Sequence, residues 1–255
     1  VIGDPDLLAL RLGYYDLFVG LLWREPAVEL VTALGQGSEE RIRAARAVDP
    51  QLGEGWESFA RLRAAGAPTQ LAEAAATEYT RLFLGPGAPE LNLYESYYLT
   101  GRLFDSPLAA VRSSLNELGV EKDPGYPEPE DFLAFEIEVV RTLLRRQETA
   151  ADRDAQTRAV DSQAVFLKRH LLVWGPAAAG DLAAAREAPF YQAVGALLRG
   201  FLALELRLMK DWGPEELRTL DAVRRQFGRR SEFRGPVFEV PGEAAERPRR
   251  RGPRV

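Results

Sequence analysis

The sequence contains no cysteine and a single histidine in 255 residues. Without cysteine there can be no disulfide framework, thiolate metal site or cysteine nucleophile. One histidine, His170, is too few for a paired Glu-x-x-His di-iron bundle, so no metal site is expected. No G-x-S-x-G elbow accompanies any serine, which leaves no nucleophilic triad to assign. Gly85-Pro86-Gly87 lacks the G-x-x-x-x-G-K-[ST] pattern of a phosphate loop. Long apolar runs are also missing. No stretch of about eighteen residues is free of charge, and no Lys or Arg precedes Arg11, so the start reads as neither a secretory signal nor a membrane span. A cytoplasmic protein without stable membrane insertion is the expectation. Strand alternation and internal repeats are absent as well.

Hydrophobic residues make up 46% of the chain, enough for a sizeable core, and charged residues 28%. The net charge of −5 is unevenly placed. From Gly228 onward eight Arg face four Glu, and the body before it carries 25 basic and 34 acidic residues, a net −9. An acidic body disfavours nucleic acid and suits a basic peptide, although the same charge also serves solubility alone.

Helical signals recur along the chain. Asp4-Pro5 pairs an N-cap with a proline at the first helical position, and Leu7, Leu8, Leu12, Tyr15 and Leu22 keep helical spacing to Trp23. Pro26 ends that helix or starts the next. Ser38, Pro50, Pro68 and Pro107 stand where further helices can begin. Gly119–Pro129, with three prolines and two glycines, reads as a linker. Helices follow from Glu130 and from Asp152 to Trp174. Pro176 and Gly180 read as breaks, with helices resuming near Asp181, Pro189 and Pro214. The spacing predicts an all-α bundle of about ten helices over 1–227, hinged at 119–129, and a basic, mostly unfolded Pro/Gly/Arg-rich tail over 228–255.

Four constellations stand out. Tyr79, Leu82 and Phe83 share one helix face ahead of Gly85-Pro86, as a core stripe or an apolar groove. Tyr94-Glu95-Ser96-Tyr97-Tyr98 combines amphipathic rings with one hydroxyl. Glu128-Pro129-Glu130-Asp131-Phe132 leads a helix that carries Glu136. Asp131 there reads as a simple helix cap or as an acidic anchor for a guanidinium. His170-Leu-x-x-Trp174 places the histidine and the tryptophan on one face, where a lone histidine is usually a satisfied core group.

The order of these motifs resembles the TorD/DmsD/NarJ family of molybdoenzyme maturation chaperones. Glu78, Tyr79, Leu82, Phe83, Gly85 and Pro86 match E-[YF]-x-x-L-F-x-G-P. Ser96 and Tyr98 fit P-x-x-S-V-Y, with Tyr97 in place of a smaller residue. Glu128 to Ile137 is similar to E-P-D-H-[IL]-x-x-E-L, with Phe132 where histidine is usual, and Phe190-Tyr191 follows the H-[LI]-x-x-W pattern. The resemblance implies a TorD-like fold and a cytoplasmic chaperone without catalytic residues or a cofactor of its own. Its implied partner is the apo catalytic subunit of a molybdenum-cofactor oxidoreductase, bound through an N-terminal, often twin-arginine, signal peptide during cofactor insertion. The client-binding residues it implies are Tyr79, Leu82, Phe83, Tyr94, Ser96, Tyr98, Glu128, Pro129, Glu130, Asp131, Phe132 and Glu136. The protein is then a monomer or a helix-swapped homodimer. The other readings are a helical scaffold or regulatory protein and a helical-bundle enzyme.

Overall fold

The computed structural model describes residues 3–34, 36–85, 88–213 and 215–231. Pro86, Gly87, Pro214 and the tail from 232 lie outside them. Among the described residues twelve α-helices run in the order α1 (Pro5–Leu22), α2 (Val28–Leu34), α3 (Ser38–Val48), α4 (Pro50–Ala65), α5 (Pro68–Tyr79), α6 (Glu95–Thr100), α7 (Ser106–Leu118), α8 (Leu133–Glu148), α9 (Arg153–Arg169), α10 (Leu171–Ala183), α11 (Pro189–Met209) and α12 (Leu220–Ser231). The same residues contain no strand, only an isolated antiparallel bridge between Tyr94 and Phe132. None of the described helices is long and apolar enough to cross a membrane.

The expected starts at Asp4-Pro5 and Asp49-Pro50 are present. Asp4 accepts from the Asp6 N–H, and Asp49 from the Gln51 and Leu52 N–H groups. Proline also opens α5 and α11. The bundle is built around α11, whose Phe190, Tyr191, Val194, Leu197, Leu198, Phe201 and Leu202 are almost wholly buried. Each such side chain stabilises the fold by about 1.5–3 kcal/mol. α4 and α10 pack along α11, and α8 lies between α1 and α9. The α4–α11 approach is close: a Cβ on Gly55 would sit 2.5 Å from Leu197 Cα, and one on Gly200 2.8 Å from the Gln51 carbonyl.

Three sequence expectations are corrected. The helix expected over 152–174 breaks at His170, whose φ of −125° and ψ of −94° are not helical. Pro176 and Gly180 do not break the chain but lie within α10. That helix holds because Leu171, Leu172, Trp174, Ala178, Ala179 and Leu182 are all buried, so packing outweighs the missing proline donor. The helix expected from Glu130 starts later, at Leu133, because Asp131 and Phe132 are held by the segment before α6. Twelve described helices stand against the expected about ten; α2 follows Pro26, and the six-residue α6 was not foreseen.

Candidate functional site

Glu78, near the end of α5, has a role that the motif alone does not show. Its carboxylate accepts from the Phe190 N–H at 3.3 Å and the Tyr191 N–H at 3.0 Å, at the start of α11. A carboxylate there satisfies donors the helix cannot and sits at the positive end of the helix dipole. Burial raises the carboxyl pKa of Glu78 against the opposing pull of those N–H groups.

α5 then runs into a π-helical turn, Thr80–Leu84, closed by the Gly85 N–H donating to the Thr80 carbonyl at 2.7 Å. Gly85 has φ 59° and ψ 155°, and a Cβ there would lie 2.2 Å from the Ala88 carbonyl oxygen. Only glycine tolerates that conformation, which accounts for the motif glycine. Leu82 is fully buried and Tyr79 nearly so. Phe83 is half-buried and packs edge-on to Tyr79 and Tyr191, with ring centroids 5.0 and 5.1 Å away. Leu84 is turned outward and is 56% exposed.

The second and third motifs close on each other. Glu95 N–H donates to the Asp131 carbonyl at 2.8 Å, and Leu133 N–H to the Leu93 carbonyl at 2.9 Å. Ser96 N–H donates to the Asp131 carboxylate at 3.0 Å. Tyr94, the residue before α6, has no side-chain acceptor to cap it, so Asp131 supplies the cap from 35 residues away. Asp131, Ser96 and Glu136 are fully buried, and Phe132 is 5% exposed. The Phe132 ring lies 5.2 Å from that of Tyr94, whose hydroxyl donates to Glu128 at 2.7 Å. Tyr94, Glu128, Pro129 and Glu130 are half-buried and form the rim. Glu130 pairs with Arg112 at 2.9 Å, which lowers its pKa against the opposing effect of burial. The Tyr79 hydroxyl is pushed up to about 12, by burial first and then by the charges of Glu128 and Glu25.

Behind the rim lies a buried polar chain. Glu136 accepts from Trp174 Nε1 at 3.0 and 3.2 Å. Burial, and then the neighbouring Glu95 charge, hold the Glu136 carboxyl well above the usual carboxylate range. His170 Nδ1 faces Glu95 Oε2 at 3.0 Å, and His170 Nε2 faces Ser114 Oγ at 2.8 Å. Both ring nitrogens are therefore engaged, so the histidine is a satisfied core group. Tyr98 packs on Trp174 with ring centroids 5.2 Å apart and donates its hydroxyl to Asp181 at 2.6 Å.

The twelve residues singled out in the sequence thus separate into a rim (Phe83, Tyr94, Glu128, Pro129, Glu130) and a supporting layer (Tyr79, Leu82, Ser96, Tyr98, Asp131, Phe132, Glu136). Sequence reasoning missed Trp23 and Tyr126, stacked with centroids 3.7 Å apart, which tie the proline-rich 119–129 segment to the end of α1. It also missed the exposed Leu103 and Phe104, whose one visible signal is an apolar pair directly after Gly101-Arg102. Among the described residues no group of His, Asp and Glu side chains could hold a metal ion.

Comparison with known proteins covers the same region. The family described as "Nitrate reductase delta subunit" matches residues 45–179, just over half of the chain. The chain is 31% identical over 134 residues to the chaperone protein TorD of Aeromonas salmonicida, spanning 52% of this chain and 60% of that protein. It is 27% identical over 132 residues to the chaperone protein TorD of Photobacterium profundum, spanning 51% of this chain and 61% of that protein. The match therefore spans about three fifths of these relatives' length.

Proposed function

The chain belongs to the nitrate reductase delta subunit family, and from that premise we propose that it is a maturation chaperone for the catalytic subunit of a molybdoenzyme. In this reading it acts in the cytoplasm, binds the client's N-terminal segment, a twin-arginine signal or a related leaderless end, and holds the subunit open while cofactor is inserted. Export or docking is delayed until loading is complete. Preference for the immature client over the mature one is the whole mechanism, and no covalent step is required.

The observation that carries the site assignment is the closure of the second motif on the third. It sets the Tyr94 ring and the Glu128 and Glu130 carboxylates on one half-buried rim, with Phe83 contributed by the first motif. Amphipathic rings beside carboxylates suit a segment that mixes apolar and basic side chains. Asp131, being buried, serves this rim by fixing the backbone at Ser96, and the buried Glu136 holds Trp174 behind it.

The test is co-purification from a host that expresses a molybdoenzyme, followed by titration of the captured subunit's N-terminal peptide. One apo-subunit should be recovered. Glu128→Ala should weaken the peptide by at least about tenfold, the worth of a hydrogen bond to a charged group, with the thermal midpoint kept. Failure to capture such a subunit while it is expressed overturns the reading. Unchanged affinity in Glu128→Ala removes the rim assignment alone.

A further inference from the structure

Helix α12 is the last described helix of the chain. Its principal neighbours are α6 and α10. Its apolar contacts centre on a small cluster, Val223 against Leu99 and Val173 with Phe227 partly covered, and Leu220 at its first turn touches both this cluster and the main core. Leu220, Val223 and Phe227 fall at i, i+3 and i+7, one narrow stripe. Among the described residues no salt bridge joins it to the body, and Arg224 pairs weakly with Asp221 of the same helix at 3.9 Å. The bond that reaches across is Arg224 Nε donating to the Tyr98 carbonyl at 2.7 Å.

That carbonyl belongs to the last turn of α6, where oxygens lack helical donors and the helix dipole favours a cation. Asp181 of α10 accepts from the Tyr98 hydroxyl. The surface under α12 is therefore apolar in the middle, at Leu99 and Val173, and attracts a cation at its edge. The segment leading to α12 is pinned at Glu215, whose carbonyl accepts from Lys168 and whose carboxylate accepts from Arg169 at 2.6 Å. Residues 216–219 are non-helical. A twelve-residue helix is marginal without a face to pack on, and among the described side chains that face is Leu220, Val223 and Phe227.

We infer that α12 is a detachable cover, hinged at 216–219, and that the α6–α10 face beneath it is a docking surface for a basic amphipathic helix of a partner. α12 shows the chemistry that fits: apolar side chains at i, i+3 and i+7 with an arginine one residue after the second. A tethered helix competes at a high effective concentration, so the partner binds only when its own stripe outcompetes α12 or when α12 is drawn away. The inference does not depend on the client assignment, because the occupant is defined by α12 itself.

The test uses the full-length chain and a labelled peptide of residues 218–231. In Val223→Asp the apolar stripe is broken and the cover is released, and Arg224→Ala removes the carbonyl bond without adding a charge to the interface. Fluorescence anisotropy should show saturable binding of the peptide to both variants, at least tenfold tighter than to the unaltered chain. The same peptide carrying Val223→Asp should not bind. Circular dichroism should show that Val223→Asp loses no more than one short helix. Equal binding to the unaltered chain and both variants, or equal binding by the altered peptide, overturns the inference. Neither result bears on capture of a molybdoenzyme subunit, so the two proposals fail separately.

Discussion

Arg11 and Glu205, 194 residues apart, meet in two parallel bonds of 2.7 Å, Nε to Oε1 and Nη2 to Oε2. Both side chains are enclosed, and Gln163 and Tyr15 complete the set by bonding the guanidinium and the carboxylate. The pair joins the first helix to the central one. Arg11→Met strands a buried carboxylate and is expected to cost about 3–5 kcal/mol. Arg11→Met with Glu205→Leu should recover a large part of that loss, because no charge is left unpaired. Urea denaturation of the three chains checks this, and a double variant as unstable as the single one would contradict it.

The raised pKa of Glu136 has a direction in pH. A carboxyl that holds its proton more tightly when folded adds stability below its unfolded pKa of about 4.3. That stability is lost as pH rises through the higher folded value. Glu136→Gln keeps an acceptor for Trp174 and cannot ionise. Its thermal midpoint should therefore gain on that of the unaltered chain as pH is raised from 5 to 9. A gap that stays constant across that range would show that Glu136 does not titrate there.

Gly85→Ala forces a Cβ into the Ala88 carbonyl at a backbone conformation reserved for glycine. The expected loss is about 1–3 kcal/mol, read by denaturant midpoint. A loss near zero would mean that the π-helical turn relaxes freely.

Phe104 is 72% exposed and has φ 59°, a conformation a bulky side chain rarely adopts. The left-handed conformation costs about 1–2 kcal/mol in a non-glycine residue. Phe104→Gly is expected to leave the thermal midpoint unchanged or slightly higher. A clear fall in midpoint would show that the ring packs on the body instead.

Helix starts were legible at Asp4-Pro5, Pro50 and Pro189, because capping is a local property, whereas Asp181 lies inside α10 and the last described helix starts only at Leu220. The six-residue α6 was not. Its cap is Asp131, supplied from 35 residues away, and no local signal records such a partner. The break at His170 escaped for the same reason, since its ring is held by Glu95 and Ser114 from two other helices. At the site, the motifs marked the right neighbourhood. They did not separate Glu128 on the rim from Asp131 beneath it, because burial of a carboxylate depends on which backbone N–H groups the fold brings to it. Tyr126 was hidden in a proline-rich stretch, and its stacking on Trp23 follows from tertiary contact alone.

The imidazole that joins Glu95 to Ser114 is also the only one in the molecule. Its two carbon-bound ring protons should give a pair of resonances that no other histidine can overlap, even in unlabelled protein. One ring nitrogen faces α6 and the other faces α7, so a shift in how either helix is seated alters the electronic environment of those protons. The chain thus carries a native spectroscopic reporter behind its candidate binding rim, requiring no introduced probe to follow occupancy.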